Sequence, residues 1–496
     1  MFAEFRKCFK KSLEIKFLKS STNSVVLVDK KAPNWALSEN SRIDFEKNNS
    51  VFTYPRRMYE RCHLIQLKKD SDIFSSATAA VNTLNKKKLV TADLIVPKTM
   101  NNSKIAQWVN TAILANYEYC FKTNTEQTEE NAPNETLGNT LETLYLERDL
   151  SNNTEFTYSV ASAYSSLYAR ELANTRGSIA TPDFMVQKAQ EVYELAPNKV
   201  SIEVITGEDL VTKGMNLLYN VGKGASSPPS LVILKYTPVP ESAKRIAFVG
   251  KGLTFDTGGL NLKPTNSIED MYLDKSGACA ALSAFRWAIE TSFPANLICT
   301  LALAENAIGS KSYKPLDIIT SLKGKTVEIG NTDAEGRLCL ADALTYTQLN
   351  YKPSTIIDLA TLTGAVVVAL GEETAGAFGD SKLIGKLSKA GEYYQEHIWH
   401  LPINIEHKKS IKGKVADLSN TGKGRYGGAS TAAAFLQNFI EKDVEWAHLD
   451  IAGPAMAKSQ RKQFSAGGTG FGVQLLTRYL IQELSSQKAK VVRKKK

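Results

Sequence analysis

Two apolar rhythms run along this chain, and their order predicts its elements. Short runs of β-branched and aliphatic residues read as strands, and apolar residues at three- and four-residue spacing read as helices. In the first portion, Ser24–Val28 and Leu94–Val96 predict strands, while Ser76–Lys86 and Ala106–Tyr119 predict helices. A polar stretch from Thr123 to Asn139, carrying Pro133 and Gly138, reads as an exposed excursion. Tyr158–Asn174 is helical in pattern, and Thr181-Pro182 opens a further helix through Val192. Beyond that, strands at Val200–Ile205, Leu231–Tyr236, Ile246–Gly250, Leu297–Ala304 and Thr355–Leu359 alternate with helices at Gly214–Val221, Ser276–Thr291 and Thr431–Ile440.

Such alternation predicts an α/β protein with a mostly parallel, mixed sheet covered by helices, whose ligands gather at the carboxyl ends of the strands. The expected organisation is a smaller N-terminal α/β domain over 1–160, a helical connection over 161–192, a larger α/β domain over 193–484 that carries the chemistry, and a basic tail over 485–496. At 496 residues there is ample chain for this.

Charge changes the picture only at the ends. The net charge is +10. Residues 1–20 contribute +4 and residues 488–496 contribute +6, so the body between them is neutral. The fold itself is therefore not expected to bind nucleic acid, and only the tails are suited to a polyanion. No apolar run reaches the roughly 20 residues of a membrane span, so no membrane partner is expected. The six cysteines lack CxxC spacing, which suits a reducing compartment. A cytoplasmic protein is expected; the alternation of Phe2, Phe5, Phe9, Leu13 and Phe17 with basic residues leaves a mitochondrial targeting segment over 1–19 as the alternative.

The densest candidate chemistry is Asn331-Thr332-Asp333-Ala334-Glu335-Gly336-Arg337-Leu338. Asp333 and Glu335 can converge on one point, and a convergent acid pair protonates unless a cation neutralises it. Leu338, Leu340, Ala341, Leu344 and Thr345 then read as a helix leaving the site, with Arg337 at its start placed to hold an anion. A solvated, ion-paired turn would have the same composition. A second constellation upstream shifts the balance: a glycine-rich loop after the strand at Ile246 holds Lys251, Asp256 and Lys263, and Asp274 follows before a helix. The glycine spacing departs from a phosphate-binding P-loop, because Lys251 is followed by Gly252 rather than Ser or Thr. Four acids and amines make an oxygen-rich site suited to Zn²⁺, Mn²⁺, Mg²⁺ or Co²⁺. His63, His397, His400, His407 and His448 show no ligand spacing and read as surface or structural imidazoles.

The strings VGKGLTFDTGGLNLK, MYLDKSG, NTDAEGRL, DLATLTGA and WAHLDIAGPA resemble those of the leucine aminopeptidase family, the two-metal cytosolic aminopeptidases, over about residues 165–480. The resemblance implies a metallo-exopeptidase that releases leucine and similar apolar residues from the N-termini of peptides. It implies that Asp256 and Glu335 bridge two divalent ions, that Asp333 binds one and that Lys251 and Asp274 complete the other. Lys263 would hold the substrate carbonyl oxygen and Arg337 a bicarbonate that shuttles the proton. Met271, Thr361, Leu362, Gly364, Ala452 and Ala455 would form the substrate pocket. A homohexamer, a dimer of trimers, is implied as well.

Overall fold

The computed structural model describes residues 13–17, 23–28, 52–56, 59–66, 73–96, 98–119, 139–241, 243–424 and 426–494, with backbone only at 17, 23–28, 52–66 and 487–494. Most of the expected polar excursion over 123–139, the N-terminal segment up to residue 12 and the side chains of the basic tail lie outside these residues.

The chain forms two compact units, 1–167 with 457–467 and 168–456 with 468–496. The change from one to the other falls inside the Thr154–Asn174 helix, and nothing in the sequence marks 457–467 as part of the first unit.

The first unit contains a six-stranded sheet, β1 (Glu14–Phe17), β2 (Asn23–Val28), β3 (Phe52–Arg56), β4 (Tyr59–Gln66), β5 (Thr91–Ile95) and β6 (Thr143–Leu146), in the order β1-β6-β5-β2-β4-β3. Helices Ile73–Lys86 and Asn102–Ala115 accompany it, joined where Trp108 Nε1 donates to Ser76 Oγ at 3.1 Å. Asn101 caps the second helix by accepting from Lys104 N.

The second unit is built on eight strands: β7 (Val200–Thr206), β8 (Ser230–Tyr236), β9 (Arg245–Asp256), β10 (Asn296–Asn306), β13 (Thr355–Ala360), β14 (Thr374–Gly379), β15 (His397–His400) and β17 (Glu445–Asp450). Three shorter strands, β11 (Ile318–Thr320), β12 (Thr326–Glu328) and β16 (Leu418–Ser419), form a separate small sheet. The large sheet runs β15-β14-β17-β13-β9-β10-β8-β7. Its centre, β17-β13-β9-β10, is parallel, and antiparallel pairs flank it on both sides. The carboxyl ends of four parallel strands thus open on one edge.

The buried aliphatic runs explain the centre. Ala247, Val249 and Leu253 of β9 pack with Ile298 and Ala302 of β10 and with Leu338, Leu340 and Leu344 of the Gly336–Tyr351 helix. Alternate positions of β9 face the Ser276–Glu290 helix, where a Cβ on Gly250 would lie 2.4 Å from Ala278 Cα.

One expectation needs correction. Gly250 and Gly252 read in the sequence as the start of a loop holding Lys251 and Asp256, but β9 continues unbroken to Asp256, paired along its length with β10. Glycine weakens strand propensity, and the pairing on both sides of β9 overrides it. Near its end β9 carries an extra residue: Leu253 pairs with Ala304, yet Asp256 pairs with Asn306. This bulge reverses the alternation, so Asp256 shares a side with Lys251 rather than opposing it.

The helix-to-sheet approach yields a test. A Cβ on Gly277 would meet Leu359 O at 2.1 Å, a backbone atom that cannot swing aside. Gly277→Ala should therefore destabilise this unit by roughly 1–3 kcal/mol, the usual cost of overpacking. The urea midpoint followed by tryptophan fluorescence should fall; an unchanged midpoint would contradict the packing described.

Candidate metal centre

The strand ends supply the site. Lys251 and Asp256 come from β9, Lys263 from the loop after it, and Asp274 from the one-turn helix Glu269–Leu273 and its cap. Asp333 and Glu335 come from the turn that starts the Gly336–Tyr351 helix. Glu335 already has helical backbone angles (φ −80°, ψ −37°), so the two acids converge through a tightening turn rather than an extended segment. Asn331 shapes that turn by accepting from Asp333 N at 2.7 Å.

The two contributing loops are locked together. Thr332 Oγ1 donates to Gly258 O at 2.6 Å and accepts from Asn261 N at 2.9 Å, while Asn261 Oδ1 accepts from Thr332 N at 2.9 Å. Gly258 has φ +87°, and a Cβ there would lie 2.9 Å from Asp333 Oδ1. Asn306 Nδ2 donates to Asp256 Oδ1 at 2.8 Å and to Thr332 O at 3.1 Å, joining β10 to both loops.

Asp256, Asp333 and Glu335 each offer an oxygen within 4.8 Å of the others. Two ammonium groups neutralise this acidity. Lys251 Nζ lies 2.7 Å from Asp274 Oδ2 and 3.0 Å from Glu335 Oε1, and donates to Thr361 O at 2.8 Å. Lys263 Nζ lies 2.8 Å from Asp256 Oδ2 and contacts Asp333 Oδ1. Thr361 Oγ1 donates to Asp274 Oδ1 at 2.7 Å. Glu335 Oε2 is buried with no hydrogen-bond partner among the described residues, an acceptor aimed at the cluster. The donor set, all oxygens and amines with one unfilled buried oxygen, fits hard or borderline divalent ions.

The electrostatics agree. Burial, then the neighbouring Asp256 charge, pushes the Glu335 carboxyl above its ordinary range, with Lys251 pulling back. Burial raises Asp274 and Asp333 as well, opposed by Lys251 and Lys263 respectively. Burial works against the Lys251 ammonium, yet the charges of Asp274, Glu335 and Asp256 outweigh it and hold its pKa above the usual lysine value. Surrounded by carboxylates, Lys251 is a cation here; acting as a neutral ligand requires a stronger positive charge beside it.

Lys251, Asp256, Lys263, Met271, Asp274, Asp333, Glu335, Arg337, Thr361, Leu362, Gly364, Ala452 and Ala455 all line one cavity of about 440 Å³. The structure therefore brings every residue singled out in the sequence to one place. Arg337 is buried, its Nη1 donating to Asn420 O at 2.8 Å and its Nε without a partner among the described residues. The sequence reading gave no role to the supporting residues Asn306, Thr332, Thr363, Asn420 and Asp450, although Thr332 lies in the acidic octet and Thr363 and Asp450 in strings quoted for the family resemblance.

Four of the five histidines stand apart, and the side chain of His63 lies outside the described residues. His448 is buried with its Nδ1 donating to Asp358 Oδ1 at 2.5 Å, His397 and His400 are exposed, and His407 completes the Asn404 helix cap. The cysteines Cys279, Cys299 and Cys339 are buried free thiols. No helix among the described residues is long and apolar enough to cross a membrane.

Residues 167–477 match the model of the cytosol aminopeptidase family, catalytic domain. A relative from Phytoplasma australiense named "Probable cytosol aminopeptidase" is 42% identical over 320 residues, 64% of this chain and 64% of its own length. The match thus spans less than two thirds of that relative. The apo leucyl aminopeptidase of Trypanosoma cruzi superposes with TM-score 0.80 and 28% identity, over 96% of this chain and 99% of that one. The bottromycin maturation enzyme BotP in complex with Mn superposes with TM-score 0.81 and 27% identity, over 93% of this chain and 99% of that one.

Because protonation of the raised acids competes with cation binding, apparent Mn²⁺ affinity should rise with pH above the ordinary carboxylate range. Calorimetric titration between pH 5.5 and 8 should show a steady gain with proton release. A flat affinity across that interval would contradict this charge arrangement.

Proposed function

This chain belongs to the cytosol aminopeptidase family, and from that premise we propose that it is a metal-dependent aminopeptidase releasing N-terminal residues, leucine and similar apolar ones preferred, from peptides. The observation that carries the reading is the convergence of Asp256, Asp333 and Glu335 in the cavity that Lys251, Asp274, Lys263 and Arg337 also line. Two divalent ions, Zn²⁺ or Mn²⁺ with Mg²⁺ or Co²⁺ as alternatives, would be held by Lys251, Asp256, Asp274, Asp333 and Glu335, and bicarbonate by Arg337; the ions supply Lewis acidity and an acidified water, the anion a base.

The protein's own residues supply the rest. Lys263 remains an ammonium: burial disfavours the charge, but Asp256 and Glu335 more than restore it. Its side chain is 14% exposed, reaching into the cavity, where it can donate to the oxyanion that develops on the scissile carbonyl. Asp274, beside Lys251, would orient the substrate's free α-amine and so confine cleavage to the first residue. The guanidinium of Arg337 has an unused Nε and stays charged even though burial lowers its pKa, so it can seat a small anion beside the acids. Met271, Thr361, Gly364, Ala452 and Ala455 would form the wall for the first side chain, with the Leu362 carbonyl orienting the substrate. Apolar walls separate side chains by only about 1–3 kcal/mol per methylene, so the preference should be broad.

The family name and the buried free thiols support a cytoplasmic location; the targeting alternative rests on residues 1–19, only partly among those described. The homohexamer rests on the family resemblance.

Mn²⁺-loaded protein should hydrolyse a leucyl-anilide chromogen. Lys263→Ala should lower kcat by roughly 10²–10³-fold, the cost of losing one oxyanion donor, with a smaller change in KM. Absence of turnover with Zn²⁺, Mn²⁺ and Co²⁺ alike, or an unchanged kcat in Lys263→Ala, would overturn the reading.

A further inference from the structure

Outside the proposed ligands, several charged side chains of the second unit are fully buried, and two of them lie on β17. His448 and Asp450, two residues apart, share one face of that strand, and neither is exposed. Asp358 is consumed by its neighbours, accepting from His448 Nδ1 at 2.5 Å and from Trp446 Nε1 at 2.7 Å. Asp450 is used differently, because everything it holds belongs to the cavity wall. Its Oδ1 accepts from Leu362 N at 3.1 Å, Thr363 N at 3.3 Å and Ala452 N at 3.3 Å, and its Oδ2 accepts from Thr363 Oγ1 at 2.6 Å. Leu362, Thr363 and Ala452 line the cavity, and Asp450 lies behind them. The Thr363 hydroxyl extends the chain by accepting from Val366 N at 3.1 Å, capping the Gly364–Leu370 helix.

We propose that Asp450 is a positioning residue that sets selectivity for the substrate's first side chain, by tying the cavity walls 361–364 and 452–455 to one carboxylate. The proposal rests on the aminopeptidase reading above. Its physical basis is the composition of those walls. The β13–β17 ladder spaces the two segments as far as Ala360 and Asp450, with Ile451 N donating to Ala360 O at 2.8 Å; beyond it the walls carry the small residues Gly364, Ala452 and Ala455, which interlock little on their own. Past the end of the ladder, three backbone N–H groups from both segments meet on Asp450 Oδ1 and the Thr363 hydroxyl on Oδ2, so both oxygens of this one carboxylate hold the segments together. A buried carboxylate is tolerated only when its lone pairs are used, and here four donors use them, while the nearby His448 opposes the upward push of burial on its pKa. A pocket can sort alkyl side chains by size only while its walls are held, since looseness of about 1 Å is enough to blur it.

The test compares kcat/KM for leucyl- and alanyl-anilide chromogens with Mn²⁺-loaded full-length protein. The ratio of the two is independent of the active fraction, so partial unfolding leaves it unchanged. Thr363→Val keeps the side chain's shape and removes its hydrogen bonds, and Asp450→Asn replaces an acceptor by a donor. Both should lower the leucine-to-alanine ratio by about tenfold, chiefly through a higher leucyl KM. Thr363→Ser, which keeps the hydroxyl, should retain the wild-type ratio. Should Asp450→Asn fail to fold, Thr363→Val carries the test. A Thr363→Val ratio within roughly twofold of wild type, or a Thr363→Ser ratio as low as that of the valine variant, would overturn the proposal. If wild-type protein hydrolyses neither chromogen, the aminopeptidase reading itself has failed, and the proposal falls with it.

Discussion

The constraint on which the second unit depends is the need to neutralise acids gathered in one place. Asp256, Asp270, Asp274, Asp333 and Glu335 all line the same cavity, with Lys251, Lys263 and Arg337 as the cations among them. Bringing an unpaired carboxylate out of water costs several kcal/mol, so a cluster like this persists only with positive charge close by. Lys251 and Lys263 each bridge two acids, and burial still raises the carboxyl pKa values of Asp274 and Glu335 against the pull of those cations. A cavity lined by five acids and three cations, with one buried carboxylate oxygen unfilled among the described residues, is suited to hold added cations.

Convergence is a product of sheet geometry. Parallel strands end on one edge, and the bulge near the end of β9 places Asp256 on the same side as Lys251. Asn306 and Thr332 then hold the β9 and Asp333 loops in register. Behind the edge, Asp450 gathers the segments that form the opposite wall. Two carboxylates of similar burial therefore differ in what meets them: Glu335 Oε2 has no hydrogen-bond partner among the described residues, while Asp450 is saturated by three backbone N–H groups and the Thr363 hydroxyl.

Much of this was legible in the sequence, for identifiable reasons. The buried strands of the larger sheet are aliphatic runs bounded by helical periodicity, and Thr181-Pro182 announces its helix by a cap and an N1 proline, as observed. The charged residues of the site stood out because two constellations, at 251–274 and 333–337, both lie beside strand ends and both sit in strings that resemble the aminopeptidase family, although either alone reads as a solvated, ion-paired turn. What stayed hidden depends on pairing. The two glycines that disguised β9 as a loop are overridden by neighbours on both sides, and a bulge is invisible until the register is known. Asn306, Thr363 and Asn420 are ordinary polar residues whose importance lies in the atom each one touches. β15 at the sheet edge has only four residues, and β14 beside it is built of Thr, Ala, Gly and Phe without an aliphatic run, so neither carries a strand signal.

The central claim is that the acids at the strand ends form a two-cation centre. Anomalous diffraction from crystals grown with Mn²⁺ tests it most directly. The account predicts two manganese peaks in the cavity, both within bonding distance of Asp256 and Glu335, one reaching Asp333 and the other Lys251 and Asp274, with Lys263 released from Asp256. A cavity without manganese, with the Lys251 and Lys263 ion pairs intact at saturating Mn²⁺, would contradict it.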